Sequence, residues 1–202
     1  MPKKFYAVRK GKKTGIFDNW NDCKESVAGF SGAVYKGFDF LDEAKSYLDG
    51  DESHTSGGEF TGELPEVYAF VDGSFNVKTG TYGYGGFLVH NGKKEIISGN
   101  GADPEMASMR NVAGEISGCM EAVKKALDLG LKEITVFYDY TGIENWATGG
   151  WKTNKKGTRD YKEFFERVKP DINVRFVKVK GHSGIPGNEE ADALAKEAVG
   201  IK

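Results

Sequence analysis

The chain has 202 residues, of which 39% are hydrophobic and 29% are charged. These values are typical of a soluble globular protein, and the length suits one ordinary domain plus a small additional one. The formal net charge of −2 excludes a chain that is basic throughout. Lysine and arginine are nevertheless concentrated locally, between residues 3 and 36 and between residues 152 and 159, and local patches attract polyanions.

The cysteine content argues against a disulfide framework and against a zinc site. Cys23 and Cys119 are far apart, and neither belongs to a CxxC or Cys/His cluster. Each is interpreted as a small core residue on a helix face. The sequence also has neither an apolar run long enough to span a membrane nor a signal peptide. We therefore expect a soluble cytoplasmic protein without a membrane partner.

Residues 1–49 are predicted to form a small module with the order strand, strand, helix, strand, helix. The expected strands are Phe5–Val8, Thr14–Phe17 and Ala33–Tyr35, and the expected helices are Trp20–Val27 and Leu41–Leu48. Residues 50–65 follow, and they are polar, acidic and rich in glycine and serine. Such a composition buries too little apolar surface to order itself, so this segment is predicted to be a flexible linker.

Residues 66–202 are predicted to form a larger α/β domain. Its expected elements, in order, are strands 67–75, 82–90 and 93–99, a long helix 111–129, strand 134–139, helices near 141–147 and 159–168, strand 173–179 and a last helix from about Asn188 to Val199. The dipeptide Asn91-Gly92 indicates a tight hairpin. A helical crossover allows the fourth strand to run parallel to the first. The pattern predicts a mixed five-stranded sheet with flanking helices.

Acidic residues stand where this sheet should have core residues. Asp72 and Asp139 lie near the ends of two apolar strands, and Glu115 lies near the start of the long helix. A buried carboxylate without a partner is costly, and Mg²⁺ and Mn²⁺ prefer hard oxygen ligands. The three side chains are expected to converge at one edge of the sheet. This arrangement points to metal-assisted chemistry on phosphate esters.

Four motifs carry a family resemblance. They are Val71-Asp72-Gly73-Ser74, Asn111 to Glu115, Tyr138-Asp139, and Gly181 to Asp192 with His182 and Asn188 in fixed register. In this order they resemble type 1 ribonuclease H, over roughly residues 67–199. The first module separately resembles the hybrid-binding domain of such enzymes, through Phe5 to Phe17, Trp20, Cys23 and Tyr35-Lys36.

The resemblance implies a reaction and a set of roles. The implied reaction is cleavage of the RNA strand of RNA/DNA hybrids with two Mg²⁺ ions, Mn²⁺ being the alternative, and it leaves 5′-phosphate and 3′-hydroxyl ends. The implied metal ligands are Asp72, Glu115, Asp139 and Asp192. His182 is the implied mobile-loop histidine, which a glycine-rich loop allows to move and to pass a proton. Asn111 is implied to touch 2′-hydroxyls.

The remaining substrate contacts are expected on both modules. Trp146, followed by Trp151, Lys152 and Thr153, is expected to pack on sugars of the DNA strand and bind its phosphate, the alternative being that both tryptophans are core residues. In the first module, Trp20, Tyr35 and Lys36 match residues that hold the hybrid. Relatives often have a longer basic segment near residues 145–151, a small polar residue at Phe75 and a lysine at Gly37.

Two other functions stay open at this stage. A non-catalytic protein could bind RNA/DNA hybrids or double-stranded RNA with the same fold. An integrase or transposase nuclease could share the architecture and act on DNA, although its larger accessory domains are missing. We expect a monomer whose partner is the hybrid duplex, with double-stranded RNA as a further ligand of the first module.

Overall fold

The computed structural model describes residues 5–38, 41–48, 64–181 and 184–201. The chain divides into two compact units, Met1–Ser56 and Gly57–Lys202. The first unit contains strands β1 (Phe5–Lys10), β2 (Gly15–Phe17) and β3 (Val34–Phe38) and helices α1 (Trp20–Val27) and α2 (Leu41–Leu48). The predicted order of these five elements is confirmed.

Helices cover both faces of the small sheet, whose order is β2-β1-β3 and whose strands are antiparallel. Side chains of β1 alternate between the two faces, as the pleat requires. Tyr6 and Val8 pack with Cys23 of α1, whereas Ala7 packs with Ala44 of α2. The module thus has two small apolar layers, and Cys23 is a core residue as expected.

The larger unit is built on a five-stranded mixed sheet. Its described elements are β4 (Tyr68–Asn76), β5 (Thr81–His90), β6 (Lys93–Gly101), α3 (Pro104–Ala107), α4 (Asn111–Asp128), β7 (Glu133–Tyr138), α5 (Gly142–Thr148), α6 (Lys156–Val168), β8 (Asn173–Lys178) and α7 (Pro186–Ala198). The strand order is β6-β5-β4-β7-β8. The first three strands are antiparallel, and β7 and β8 run parallel to β4. The predicted fold class and the parallel fourth strand are confirmed.

Glycines in β5 allow helices to lie unusually close to the sheet. A Cβ atom on Gly85 would stand 2.0 Å from the backbone nitrogen of Ala195 in α7. A Cβ atom on Gly114 of α4 would stand 1.9 Å from the carbonyl oxygen of Gly83. No other residue type fits such distances, so these glycines set how near α4 and α7 approach the central strands.

Several element boundaries differ from the prediction: β1 ends at Lys10 rather than Val8, and β3 spans Val34–Phe38 rather than Ala33–Tyr35. Helix α3 was not predicted, because four residues are too few to show a helical period. Helix α6 begins at Lys156, three residues earlier than expected. Helix α7 begins at Pro186, so Asn188 is not its N-cap but its third residue, and it is buried. Proline is well suited to the first position of a helix because its missing N–H would be unpaired there.

Both cysteines are buried and free. Within the described residues, no helix combines the length and the apolar character that a membrane crossing requires.

Candidate metal centre

Three carboxylates from three different elements meet at one edge of the large sheet. Asp72 lies in β4, Glu115 in the second turn of α4, and Asp139 directly after β7. One oxygen of each carboxylate lies within 4.8 Å of the others. Asp72 and Glu115 are buried, at 8% and 4% exposure, whereas Asp139 is half-buried. The predicted convergence of these side chains is therefore seen in the structure.

Glycines beside the carboxylates make this convergence sterically feasible. A Cβ atom on Gly73 would stand 2.4 Å from the backbone nitrogen of Glu115, so only glycine lets α4 cross β4 at this point. A Cβ atom on Gly181 would stand 2.6 Å from Oδ2 of Asp139. Because Gly73 lets the backbones of α4 and β4 come into contact, the Asp72 carboxylate lies next to the Glu115 carboxylate.

The cluster is electrostatically strained at Asp72. Burial and the nearby Asp139 carboxylate raise the pKa of Asp72 from its ordinary value of 3.8 to about 7, and Asp192 adds to the effect. The backbone N–H of Gly73, which donates to Asp72 Oδ1 at 2.7 Å, opposes this rise. A site that holds like charges together in this way gains free energy when a cation binds.

Asp192 lies near the cluster but is not one of the three carboxylates that meet within 4.8 Å. It stands on α7, and its Oδ2 accepts a hydrogen bond of 2.6 Å from Lys196 Nζ. Gly187, at the start of α7, brings this helix onto β4, because a Cβ atom there would stand 2.6 Å from the Phe70 ring. Sequence reasoning missed Lys196, although its i,i+4 spacing from Asp192 predicts such an ion pair.

The donor set fits a divalent cation. Carboxylate oxygens are the ligands that Mg²⁺ and Mn²⁺ prefer, and the described residues present them from rigid elements. Asp72, Glu115 and Asp139 would hold such an ion, and Asp192 is placed to join if Lys196 releases it. The raised pKa of Asp72 supports the fit, since it reflects burial of the carboxylate and repulsion from Asp139, both of which a bound cation would offset.

Asn111 stands at the rim of the cluster. It is the first residue of α4 and is exposed, and its Nδ2 lies 3.5 Å from Glu115 Oε1, at the limit of a hydrogen bond. Its amide can therefore reach a ligand beside the carboxylates. His182 lies outside the described residues, and its predicted role stays a prediction.

The predicted DNA-strand contacts fall on a partly buried aromatic cluster. Trp146 is only 2% exposed, and it packs against Tyr140 and Trp151 with ring centroids 5.8 and 5.7 Å apart. In this conformation Trp146 offers a substrate almost no surface. Lys152 is exposed and Thr153 is half-buried, so these two side chains remain accessible.

The first unit presents an exposed aromatic pair. Trp20 and Tyr35 are 41% and 44% exposed, and their ring centroids lie 6.0 Å apart. Trp20 also packs against the buried Tyr6 ring, with the ring centroids 5.3 Å apart, so one side of Trp20 rests on the core of the unit. Lys36 is exposed next to Tyr35, on the opposite face of β3, with its Nζ 5.5 Å from the Phe38 ring centroid.

Comparison with known proteins assigns both units. Residues 65–200 match the family model described as RNase H, and residues 4–48 match the model described as Ribonuclease H1 N-terminal domain. The chain belongs to the ribonuclease H family. The resemblance drawn from the motifs is thereby confirmed for both modules, and the family assignment makes the chain a ribonuclease H enzyme.

Individual members of the ribonuclease H family resemble the chain over different spans. Human Ribonuclease H1 is 30% identical over 252 aligned residues, covering 96% of this chain and 88% of the human protein. Saccharomyces cerevisiae Ribonuclease H is 57% identical over 44 residues, covering 22% of this chain and 13% of the yeast protein. The crystal structure of RNase H1 from Halobacterium salinarum superposes with a TM-score of 0.52 at 26% identity, covering 66% of this chain and 96% of that one.

Proposed function

We propose that the protein is an endonuclease that hydrolyses the RNA strand of RNA/DNA hybrids and leaves 5′-phosphate and 3′-hydroxyl ends. The observation that carries the proposal is the convergence of Asp72, Glu115 and Asp139 within 4.8 Å, in a chain of the ribonuclease H family. An enzyme of this kind must neutralise a phosphate, aim a water at it and stabilise the leaving oxygen.

The chain's own residues prepare these steps. Two divalent cations, when bound, would supply Lewis acidity and water activation at the scissile phosphate. Asp72, which lies in the middle strand β4, is proposed to be a ligand of both cations. Glu115 and Asp139 are proposed to complete the ligand set, and Asp192 to join it from α7. His182 is proposed to pass a proton during product release.

Selection of the RNA strand is proposed to depend on Asn111. A hybrid is close to A-form and displays its 2′-hydroxyls in a wide, shallow minor groove. The Asn111 amide lies within 3.5 Å of Glu115, so it can bind a 2′-hydroxyl close to the phosphate that is cut. Lys152 and Thr153 are proposed to bind a phosphate of the DNA strand, with Trp146 and Trp151 supporting them from the core.

The first unit is proposed to hold the same duplex. Trp20 and Tyr35 offer flat exposed faces on which sugars can pack, and Lys36 offers a cation for a phosphate. The match of residues 4–48 to the Ribonuclease H1 N-terminal domain supports this assignment. Double-stranded RNA is proposed as a further ligand of these groups. The chain is proposed to act as a monomer that consists of a hybrid-binding domain (residues 1–49), a linker (50–65) and a catalytic domain (66–202).

The test is cleavage of an end-labelled RNA/DNA hybrid beside RNA/RNA and DNA/DNA duplexes of the same sequence. We expect cutting of only the RNA strand of the hybrid, in Mg²⁺ and not in EDTA, and with Mn²⁺ as a substitute. Asp72→Asn serves as the matched inactive variant. Tight hybrid binding without any cutting would instead support the alternative, a binding protein with the same fold.

A further inference from the structure

Asp139 differs from the other two carboxylates of the cluster in what holds its backbone. Asp72 lies within strand β4 and Glu115 within helix α4, where regular backbone hydrogen bonds fix each residue. Asp139 lies in the short connection between β7 and α5. The pairing of β7 with β4 ends two residues earlier, at Phe137. The position of the Asp139 carboxylate therefore depends on contacts other than the ladder between these two strands.

A buried side-chain hydrogen bond spans this connection. Tyr138, the last residue of β7, donates its O–H to Oε2 of Glu144 at 2.5 Å. The two residues are 1% and 4% exposed. Glu144 lies in the first turn of α5, so the bond closes a loop that contains Asp139. The main chain of Tyr138 is also held, because its carbonyl oxygen accepts the N–H of Val179 at 2.8 Å. The residue directly before Asp139 is thus fixed through both its backbone and its side chain.

Packing alone does not explain why this pair is polar. The Tyr138 ring meets the Phe176 ring edge-on, with centroids 6.0 Å apart, and Ile143 beside Glu144 is fully buried. Taking a carboxylate and a hydroxyl out of water costs free energy that their mutual contact does not always recover. Replacing both partners with apolar groups of the same shape is often neutral or stabilising. A hydrogen bond, however, has a defined direction and length, so it fixes a geometry that an apolar contact leaves free.

We propose that Tyr138 and Glu144 are positioning residues whose hydrogen bond keeps the Asp139 carboxylate within reach of the cation that Asp72 and Glu115 would also hold. This inference rests on the proposed function, because the cation is the one that the proposed reaction uses. It explains why a polar pair occupies a core position beside the cluster. The role requires a donor at position 138 and an acceptor at position 144, and it does not require a charge.

The first test is the Mg²⁺ affinity of the double variant Tyr138→Phe/Glu144→Met, measured by isothermal titration calorimetry without hybrid. Both new side chains are apolar and similar in shape to those they replace, so the unfolding temperature should stay close to that of the unmodified protein or exceed it. The Kd for Mg²⁺ should rise about tenfold, the lower end of the effect of removing a contact that orients a metal ligand. A pair with only a structural role would leave the Mg²⁺ affinity of the folded variant unchanged.

Three single variants separate positioning from stability. Glu144→Gln keeps an acceptor for the Tyr138 O–H, so it should keep the Mg²⁺ affinity of the unmodified protein. Tyr161→Phe makes the same substitution at another fully buried tyrosine, whose O–H lies 3.1 Å from the Ile143 carbonyl oxygen of α5. That bond does not span the connection, so its loss should leave the Mg²⁺ affinity unchanged. Tyr138→Phe leaves the Glu144 carboxylate buried without its donor, and should lower both the unfolding temperature and the Mg²⁺ affinity.

The second test examines the connection itself, in EDTA, by amide hydrogen exchange. The N–H of Ile143 donates to the carbonyl oxygen of Tyr140 at 3.0 Å, so its exchange rate reports how often the connection opens. In the double variant this amide should exchange about tenfold faster than in the unmodified protein. The amide of Val136, within β7, should exchange at an unchanged rate in both proteins.

Cleavage assays distinguish a failure of this inference from a failure of the proposed function. The Mg²⁺ concentration that gives the half-maximal rate should rise about tenfold in the double variant, while KM for the hybrid at saturating Mg²⁺ stays unchanged. An unchanged Mg²⁺ affinity in the double variant would overturn the inference and leave the proposed function standing. If the unmodified protein binds Mg²⁺ but cuts no hybrid, the proposed function fails, and the calorimetric comparison still decides the inference. An unmodified protein that binds no Mg²⁺ would overturn both.

Discussion

Replacing Asp72 with asparagine should stabilise the metal-free protein above neutral pH and abolish cleavage. The pKa of Asp72 is about 7 in the folded protein, against an ordinary value of 3.8. Because the folded state holds this proton more tightly, the free energy of unfolding falls as the pH rises from about 4 to about 7. Asparagine does not titrate, so the variant escapes this loss.

The expected size follows from the pKa values. Raising the pKa of Asp72 from 3.8 to about 7 costs the ionised folded state at most about 4 kcal/mol. In a protein of this length about 1 kcal/mol moves the unfolding temperature by roughly 2–4 °C. In EDTA at pH 8, Asp72→Asn should therefore unfold several degrees above the unmodified protein, whereas at pH 4 the two should unfold together.

Thermal unfolding by circular dichroism, at pH 4, 6 and 8 with EDTA or 10 mM Mg²⁺, measures both effects. Mg²⁺ should raise the unfolding temperature of the unmodified protein at pH 8 and that of Asp72→Asn much less. Glu144→Gln is the matched control, since Glu144 is a buried carboxylate that accepts from Tyr138 O–H outside the cluster. Its response to Mg²⁺ should equal that of the unmodified protein.

Two results would refute this reasoning. If Asp72→Asn is no more stable than the unmodified protein at pH 8 in EDTA, burial and the neighbouring carboxylates do not raise the pKa of Asp72 to about 7. If the variant still turns over hybrid in Mg²⁺, Asp72 is not central to the reaction. Hybrid binding should persist in the variant, because the proposed contacts of the first unit do not involve Asp72.

Three further predictions concern other parts of the chain. Trp20→Ala should weaken hybrid affinity about tenfold in anisotropy assays but leave single-turnover cleavage at saturating enzyme unchanged, whereas Phe30→Ala, equally exposed at 41%, should alter neither. Gly73→Ala should lower the unfolding temperature and also the rise in that temperature on adding Mg²⁺, because its Cβ would stand 2.2 Å from the Asn111 carbonyl oxygen of α4. Unfolding temperatures equal to those of the unmodified protein in calorimetry, with and without Mg²⁺, would contradict this. Lys196→Met should move the acidic limb of the pH–rate profile to higher pH, because Lys196 lowers the pKa of Asp72.

Much of the architecture was predictable because its signals are local. Strands β4 and β5 and helix α4 carry clear apolar periods, and Asn91-Gly92 marks its hairpin, with φ values of 48° and 69°. Asp72 and Asp139 could be predicted as a pair because the crossover rule makes β7 parallel to β4. In the structure Asp139 directly follows β7, whereas Asp72 lies in the middle of β4, two residues past its last pairing with β7. The order of strands and helices is therefore enough to predict which carboxylates meet.

Other features could not be read from the sequence, for identifiable reasons. Helix α3 has only four residues, and its cap Asp103 is also an ordinary turn residue. The positive φ of Arg110 depends on hydrogen bonds to both sides, whereas its residue type predicts a negative φ. The burial of Trp146 depends on rings that meet only in the folded chain. Each of these is a tertiary effect that overrides local preference.

The close approach of α4 to β4 and the raised pKa of Asp72 are two consequences of one arrangement. Gly73 has no side chain to hold the helix away, so α4 packs against β4, Glu115 meets Asp72 and Asp139, and Asp72 is left buried beside another carboxylate. A looser contact would give Asp72 more water and lower its pKa, but it would also separate the oxygens that would hold a cation. The stability lost without a metal and the affinity gained with one therefore have the same origin, and a substitution that relieves the first should weaken the second.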